Sequence, residues 1–369
     1  MQVTVSTCGT SIFTNGTAYE DVKFLRDNAN KREDEYTSDE LKKINELIGL
    51  KFDALTSASP KEVQRLSAEL NGFISFYGNG AKLIEARQDT HYLVHTDTYQ
   101  GIKAAELIRS WGNANNINMQ LVKIDDLNTG SIEEFMLGVN NLVEWCAWTL
   151  PGYSSQGYKV IFNLVGGFKS LQGYMQTLGM FYADETVYIF ETGGELLRIP
   201  KMPVDFSASA KQSVIENSIA FRRMQKGDIP LSECEGIPGT LLDIIGDNCR
   251  MSAWGKIIWQ EAQNDLYGEI LPPMSDRVII TRKAQKGVPP NRIKEFNEAI
   301  DRVSRYIESN GEENLNTCNL RPIQGDVKAP SNHEFNLWPD MGGWRAFCHY
   351  EGDKLIIDDI GIGIGHNKH

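Results

Sequence analysis

The sequence has 369 residues, of which 41% are hydrophobic and 23% charged, and these proportions exclude a disordered chain. That length exceeds what one hydrophobic core usually serves, so two or three domains are expected. The net charge of −12 argues against bulk nucleic-acid binding by counterion release, and no apolar run of about 18 residues predicts a membrane span.

Apolar strand patterns alternate with helical patterns over the first 200 residues. The predicted strands are Gln2–Thr7, His91–Thr96, Met119–Ile124, Lys159–Val165 and Thr186–Glu191. Helices are predicted from Ser59 onward, from Thr98 to about Gly112, over Ile132–Trp148, and from Ser170 to about Tyr182. Strands that alternate with helices imply crossover connections. The first domain, residues 1–204, is therefore predicted to be α/β with a Rossmann-like, doubly wound parallel sheet.

Three of the predicted strands run into small, hydroxylated loops. These loops are Thr7-Cys8-Gly9-Thr10-Ser11, Thr96-Asp97-Thr98 and Gly166-Gly167-Phe168-Lys169-Ser170. Such loops offer backbone N–H groups and hydroxyls to phosphates, and parallel sheets bind ligands outside the carboxyl ends of their strands. The first loop has no G-x-G-x-x-G pattern and no Walker lysine, which disfavours a dinucleotide or a nucleoside triphosphate. A different nucleotide ligand is predicted.

Two segments of this domain, TVSTCGTSIFTN at the start and NLVGGFKSLQGYMQTLGMFYADETVYIFETGGELLRIP at 163–200, resemble the CARF domains of CRISPR-associated effectors. The resemblance implies a homodimer that binds a cyclic oligoadenylate across its two-fold axis, the four-membered ring cA4 in preference to the six-membered cA6. A ring with two-fold symmetry suits an interface to which each subunit gives the same loops. The ligand-binding residues implied are Gly9, Thr10, Ser11, Thr96, Gly167, Lys169 and Ser170.

In residues 205–276 the alternation of strand and helix patterns ends. Helical patterns over Ser207–Arg223 and from about Leu241 to Tyr267 flank a loop that contains Pro230, Gly236 and Pro238. This stretch is predicted to be a helical connector.

The last segment, 277–369, is predicted to be a small α+β domain with an antiparallel meander. A strand over Arg277–Lys283 precedes a helix over Arg292–Ser309, whose apolar residues recur at helical spacing. Three further strands follow: His333–Trp338, Gly343–Glu351 and Lys354–Ile360. The last two are joined by a short hairpin connection.

This segment resembles the RelE superfamily of messenger-RNA-cutting toxins. The resemblance lies in Gly343-Trp344-Arg345, in the acidic hairpin Glu351-Gly352-Asp353 and in the tail His366-Asn367-Lys368-His369. Many members carry two lysines on the strand before the arginine. Here that strand is His333-Glu334-Phe335-Asn336-Leu337, so the pattern is closer to the YoeB-like branch, which uses a carboxylate, an arginine and a histidine. The implied partners are the ribosome and messenger RNA.

Cleavage of RNA by its own 2′-hydroxyl needs a base, a cation and an acid, but no metal or cofactor. Glu334 or His333 is the candidate base, Arg345 the cation, and His366 or His369 the acid; His349 and Lys368 complete the candidate set. Trp344 and Tyr350 could stack a base of the RNA. Phe347 is expected in the core, and Asp358 and Asp359 are expected to be exposed and not catalytic.

Three functions compete at this stage: an oligoadenylate-activated, ribosome-dependent ribonuclease, a CARF-controlled HEPN or other single-stranded ribonuclease, and a ligand-gated regulator that is not an enzyme. A HEPN site needs arginine and histidine on a helix with four to six residues between them. Arg345 and His349 have three residues between them and lie in a strand pattern.

The spacing of the six cysteines indicates the cellular compartment of the protein. They are scattered along the chain and form no C-x-x-C pair. The N-terminus enters a strand pattern at once, so no signal peptide is expected. We therefore expect a cytoplasmic protein with reduced thiols, without a zinc site or a disulfide framework.

Overall fold

The computed structural model describes residues 1–190, 194–205, 207–313, 315–324, 329–338 and 343–362. The chain divides into two compact units, Met1–Asp205 and Phe206–His369. This division falls one residue after the domain end predicted at residue 204. The boundary predicted after residue 276 lies inside the second unit, and the separate connector and C-terminal domain stay predictions. Among the described residues, none of the helices combines the length and hydrophobicity that a membrane span requires.

The first unit is built on a six-stranded sheet with the order β3-β2-β1-β4-β5-β6. Its strands are β1 (Gln2–Thr7), β2 (Thr90–His95), β3 (Met119–Lys123), β4 (Lys159–Asn163), β5 (Glu185–Ile189) and β6 (Leu196–Pro200). Neighbouring strands from β3 to β5 are parallel, and β6 pairs antiparallel with β5. The predicted α/β class with a parallel sheet is confirmed here, and β6 is an addition that the strand patterns did not predict.

Helices connect these strands. They are α1 (Ser11–Thr14), α2 (Tyr19–Asp27), α3 (Ser38–Ser57), α4 (Pro60–Leu66), α5 (Ala68–Phe76), α6 (Tyr99–Ala114), α7 (Ile132–Ser155) and α8 (Lys169–Tyr182). The predicted start at Ser59 is confirmed, because Ser59 caps α4 and Glu62 completes a capping box. Five helices thus lie between β1 and β2, where the sequence analysis predicted one.

The strand order reverses between β1 and β4, the two central strands. The chain runs from β1 through β2 to β3 on one side, and then through β4 to β5 on the other. Val160, Ile161 and Phe162 of β4 are fully buried, as expected for a strand covered on both faces. The crevice outside the carboxyl ends at such a reversal is where ligands bind in sheets of this kind. The loops after β1 and β4 are thereby brought together.

The second unit begins with a region of mixed structure. It contains α9 (Ala208–Glu216), α10 (Ser218–Met224), β7 (Ile229–Pro230), β8 (Leu242–Ile245), β9 (Asn248–Met251) and α11 (Ala253–Leu266). The predicted helix from Leu241 to Tyr267 is therefore wrong in its first third, because β8 and β9 form an antiparallel hairpin. Gly246 in the two-residue turn has a φ of +59°, which glycine adopts readily and other residues do not.

The expectation of reduced thiols is wrong for two cysteines. Cys234 and Cys249, which are 15 residues apart in the sequence, are joined in a disulfide. The pairing of β7 with β9 brings Cys249 next to the segment that contains Cys234. The sequence spacing does not predict this contact, because it depends on the pairing of β7, predicted to be part of a loop, with β9, predicted to be part of a helix. Cys8, Cys146, Cys318 and Cys348 are free and buried.

A five-stranded sheet with the order β10-β14-β13-β12-β11 forms the rest of the second unit. Its strands are β10 (Val278–Ile280), β11 (Arg321–Pro322), β12 (His333–Asn336), β13 (Trp344–Glu351) and β14 (Lys354–Ile362), and its helices are α12 (Arg282–Gly287), α13 (Ile293–Glu308) and α14 (Leu315–Cys318). The predicted antiparallel meander corresponds to β12, β13 and β14. The predicted first strand, Arg277–Lys283, is shorter than expected because α12 begins at Arg282.

Helix α13 packs its apolar side against one face of this sheet. Phe296, Ile300 and Val303 are fully buried in a core to which Ala346 and Cys348 of β13 contribute. We call this side of the sheet the core face. The opposite side, called the outer face, carries the alternate residues of the same strands.

A buried ion pair joins α10 to α13 inside the second unit. The side chain of Arg222 is fully buried, and its guanidinium donates to both carboxylate oxygens of Asp301 and to the carbonyl oxygen of Pro272. The predicted connector is therefore packed against the helix of the predicted C-terminal domain. Deletion of residues 205–276 would leave Asp301 without its partner.

Asp301→Asn is expected to lower the free energy of unfolding by about 3–5 kcal/mol, because the buried guanidinium loses its anionic partner. Glu295→Gln is the matched control, since Glu295 lies on the same helix but pairs with Arg292 where both side chains are about one-third exposed. Such a surface pair contributes about 0–1 kcal/mol. Urea unfolding followed by circular dichroism measures both variants. Equal losses in the two variants would contradict the role given to Arg222 and Asp301.

Candidate functional site

A cavity of about 240 Å³ lies at the carboxyl edge of the first sheet, where the loops after β1, β2 and β4 meet. We call it the sheet-edge cavity. Five of the seven residues predicted to bind the ligand line it: Gly9, Thr10, Ser11, Thr96 and Gly167. The other two, Lys169 and Ser170, are exposed in the first turn of α8 and lie outside the residues that line the cavity.

The sequence analysis missed other residues that line the sheet-edge cavity. Asn128 and Thr129 follow β3, and Asn30 follows α2. The Asn30 side chain accepts hydrogen bonds from the backbone N–H and the hydroxyl of Thr129, at 3.2 and 2.8 Å. These residues come from segments that carry no glycine-rich pattern. Only the folded order of the strands brings them to the same edge.

Glu69 in the first turn of α5 lies at the inner end of the sheet-edge cavity and is 1% exposed. Its Oε1 accepts from the backbone N–H groups of Gly9 (2.8 Å) and Gly167 (3.3 Å). Its Oε2 accepts from the hydroxyls of Ser11 (2.6 Å) and Ser67 (2.7 Å). A carboxylate has about four lone-pair sites, so these four donors satisfy it. Burial raises the pKa of the neighbouring Cys8 thiol, and the charge of Glu69 raises it further.

This arrangement corrects one expectation about the glycine loops. The backbone N–H groups of Gly9 and Gly167 were expected to face a phosphate, but they donate to a carboxylate of the same chain. The sequence gives little sign of it, because Glu69 is 60 residues from Gly9 and 98 from Gly167.

The outer face of the five-stranded sheet holds three of the candidate active-site residues, Glu334, Arg345 and His349. Arg345, Phe347 and His349 alternate along β13 with the core residues Ala346 and Cys348. Successive residues of a strand point to opposite faces, so these three share the outer face. Arg345 and His349 lie on a strand, which does not fit the helical arrangement that a HEPN site requires.

Arg345 contacts two polar side chains of β12, Glu334 and Asn336. Its Nε lies 3.5 Å from Oε1 of Glu334, and its Nη1 donates to Oδ1 of Asn336. Arg321 of β11 donates to the same oxygen of Glu334 at 2.9 and 3.1 Å. The side chains of Arg345 and Glu334 are 15% and 12% exposed. The structure thus brings together the candidate cation and one candidate base, and adds Arg321, which the sequence analysis did not single out.

A cavity of about 450 Å³ opens beside Arg345. Two tryptophans line it, Trp338 and Trp344, with their ring centroids 5.3 Å apart. Arg302 and Asn336 add polar groups to its wall. Trp344 alternates with Arg345 along β13 and packs with Trp338 against the core that α13 covers, so these rings belong to the core face and not to the outer face that carries Arg345.

His349 forms a second polar cluster on the outer face. Its Nδ1 lies 2.9 Å from Oδ2 of Asp358, which also accepts from the hydroxyl of Ser331 at 2.8 Å. Its Nε2 lies 3.3 Å from the exposed carboxylate of Glu351. The hydrogen bond to Asp358 raises the pKa of His349, and Glu351 adds to the effect.

The expectation that Asp358 is exposed is wrong, because its side chain is only 11% exposed. A β-bulge lies at this point of β14. Phe347 pairs with Asp359 and Cys348 with Ile357, which leaves Asp358 without a direct partner on β13. Asp359 is 37% exposed and pairs with Lys283 at 2.5 Å.

Phe347 and His333 also depart from expectation. Phe347 was expected in the core, but it lines a cavity of about 400 Å³ on the outer face, together with Ser331, Asp358 and Asp359. His333 pairs with Cys348, so it lies on the core face, where its ring packs edge-on against Tyr350 at 5.3 Å. The structure therefore does not bring His333 to Arg345.

Three predicted catalytic residues, His366, Lys368 and His369, lie outside the described residues. Within the part of the chain that the structure describes, no group of three or more histidine, cysteine, aspartate or glutamate residues is arranged to hold a metal ion.

Part of the sheet-edge cavity lies in a region that is similar to a known protein family. Residues 64–202 match the family model Cas_APE2256, a CRISPR-associated protein. The match covers 139 of the 369 residues, so the similarity is that of this region and not of the whole chain. The Cas_APE2256 region contains Glu69, Thr96 and the Gly167 loop, whereas the Gly9 loop precedes it. No curated protein matches the chain.

Asp358→Asn is expected to lower the pKa of His349, because the hydrogen bond to the carboxylate favours the imidazolium. Stability from that bond is fully present below the ordinary histidine pKa of about 6.5 and is lost as the pH rises through the raised folded-state value. NMR titration of the His349 ring measures the change. His95 is the internal control. Burial lowers its pKa, and the substitution should leave that pKa unchanged. An unchanged His349 titration would contradict the contact.

Proposed function

We propose that this chain is a ribonuclease of CRISPR immunity that a cyclic oligoadenylate switches on. In this proposal the first unit acts as a CARF sensor and dimerises. The sheet of the second unit acts as a RelE-type nuclease that cleaves messenger RNA on the ribosome and so inhibits translation. The Cas_APE2256 region supports the link to CRISPR systems.

The observation that carries the nuclease proposal is the contact between Glu334 and Arg345 on the outer face. A carboxylate and an arginine on neighbouring strands are two of the three groups expected for a YoeB-like site. Both arginines near Glu334 contact its Oε1, so Oε2 is the oxygen that would take a proton. The third group, His366 or His369, would come from the tail.

The reaction proposed needs only these groups. Glu334 removes the proton of the RNA 2′-hydroxyl, and the 2′-oxygen forms a bond to the adjacent phosphorus. Arg345 stabilises the charge that develops on the phosphate oxygens. The bond from phosphorus to the 5′-oxygen breaks, and a tail histidine protonates that oxygen. The products are a 2′,3′-cyclic phosphate and a free 5′-hydroxyl.

The sensor proposal rests on the sheet-edge cavity. It lies at the reversal of strand order and is lined by hydroxyl, amide and backbone groups of several loops. Two copies of such a cavity around a two-fold axis would give the same groups to each half of a symmetric ring. A ligand shifts the equilibrium between two dimer arrangements only by its differential affinity for them.

Arg345→Ala is expected to reduce cleavage a hundredfold or more, because loss of a transition-state cation typically costs about 3 kcal/mol. The measurement is primer extension on ribosome-bound messenger RNA, with each cyclic oligoadenylate present. Arg321→Ala is the matched control: it contacts the same carboxylate from the edge strand with a side chain that is 38% exposed. It should retain most of the activity.

Normal cleavage by the folded Arg345→Ala chain would reject the RelE-type site. Cleavage of free RNA without ribosomes would favour another class of nuclease. No cleavage under either condition would favour a regulator that is not an enzyme.

Calorimetry should find one cyclic oligoadenylate bound for every two chains, with cA4 bound more tightly than cA6. Lys169→Ala is expected to weaken binding without dissociating the dimer, because its exposed ammonium lies one residue from the Phe168 that lines the sheet-edge cavity. Unchanged affinity would show that the ring does not reach the start of α8. Sedimentation of both chains provides the control for dimerisation.

A further inference from the structure

The carboxylate of Glu69 takes the place that an anionic ligand would occupy between the two glycine loops. Its four donors are two backbone N–H groups and two hydroxyls, from three separate segments of the chain. Converging donors of this kind bind phosphates when no side chain fills the site. These four donors are therefore already in use.

The fit around this carboxylate is close. A Cβ atom on Gly166 would lie 2.4 Å from the carboxyl carbon of Glu69, and one on Gly9 would lie 3.1 Å from Cα of Gly167. The Thr7 hydroxyl, which donates to the carbonyl oxygen of Gly166 at 2.6 Å, holds the second loop against the end of β1. The loops are shaped around a buried anion at this position.

The charge of the sheet-edge cavity also favours competition between Glu69 and a bound anion. Of the described residues that line it, Glu69 alone carries a charged side chain. A phosphate that approached the same four donors with Glu69 in place would find them occupied and a negative charge beside it. A buried anion that loses its donors is strongly disfavoured, so the two anions exclude each other.

We propose that Glu69 is a built-in competitor for the anion site of the sheet-edge cavity, and that a phosphate group binds there by displacing it. The site then has two states. In one, the Glu69 carboxylate links the Gly9 and Gly167 loops to the start of α5. In the other, a ligand phosphate takes these donors and the Glu69 side chain leaves.

This exchange provides a route from the ligand to the sheet. Glu69 lies in the first turn of α5, and Ser67 caps that helix by accepting from the N–H of Leu70. Displacement of Glu69 also frees the Ser67 hydroxyl, and so alters the start of α5. The helix contacts β4, β5 and β6, which are three neighbouring strands that form one half of the sheet. The inference deepens the sensor role proposed above, on which it rests only for the identity of the natural ligand.

The test uses inorganic phosphate as the probe and the full chain as the protein. Glu69→Gln keeps the shape of the side chain but removes its charge, and hydrogen bonds to a neutral acceptor are weaker than those to a charged one. We expect Glu69→Gln to bind phosphate roughly tenfold more tightly than the unmodified chain in isothermal titration calorimetry. Glu69→Ala should bind it too, and formate should raise the melting temperature of that variant more than chloride does.

Glu62→Gln is the matched control. Glu62 also accepts from a serine N–H and hydroxyl at a helix start, but it lies seven residues earlier, outside the lining of the sheet-edge cavity. It should bind phosphate as the unmodified chain does. Equal phosphate affinity of folded Glu69→Gln and the unmodified chain would overturn the proposal and leave Glu69 as a structural tie.

A second measurement needs no variant. In the unmodified chain with labelled glycine, saturating phosphate should shift the amide signals of Gly9 and Gly167 together. Absence of any shift would reject displacement, even where the variants fail to fold. A chain that responds to phosphate but binds no cyclic oligoadenylate would reject the sensor assignment alone. A chain that binds the ring with unchanged affinity in Glu69→Gln would reject the displacement alone.

Discussion

A charge inside a protein must be buried together with its partners, and this constraint shapes both units of the chain. In the first unit the carboxylate of Glu69 is held by four donors from three segments. Without it, the loops after β1 and β4 would enclose unpaired N–H groups at the reversal of strand order. In the second unit Arg222 and Asp301 impose the same condition on α10 and α13. In both places the partners that a buried charge needs decide which distant segments must fold next to each other.

This constraint also explains what the sequence could and could not predict. The parallel sheet was predictable because β4 is a nearly continuous apolar run and the strands alternate with helices. Helix α13 was predictable because its buried residues recur at helical spacing. The hairpin of β8 and β9 was missed because two four-residue strands around Gly246 were read as part of a longer helical pattern. The contacts of the buried charges were unpredictable, since no local pattern links Glu69 to glycines 60 and 98 positions away, or Arg222 to a carboxylate 79 positions away.

Each of the two candidate sites could be predicted only in part from the sequence. Arg345 was identified from its own strand motif, and its contact with Glu334 follows from the pairing of β12 with β13. Five of the seven residues predicted to bind the ligand line the sheet-edge cavity, because loops after parallel strands meet at one edge. The sequence analysis failed where a role depended on the face of a strand. His333 and Phe347 each lie on the face opposite to the one expected, because their alternation had to be inferred without knowing which residues the helix α13 covers.

The bulge in β14 has a consequence for how this site tolerates insertions and deletions. Asp358 lies two residues beyond Ile356, the partner of His349, so it shares the outer face with the imidazole, and the extra residue places a second carboxylate, Asp359, opposite Phe347. Loss of either aspartate would restore an uninterrupted ladder with a single carboxylate at this point, which would have to serve both His349 and Lys283. Chain length at this position, and not only side-chain identity, is therefore what homologous sequences would have to preserve for each of the two groups to keep its own carboxylate.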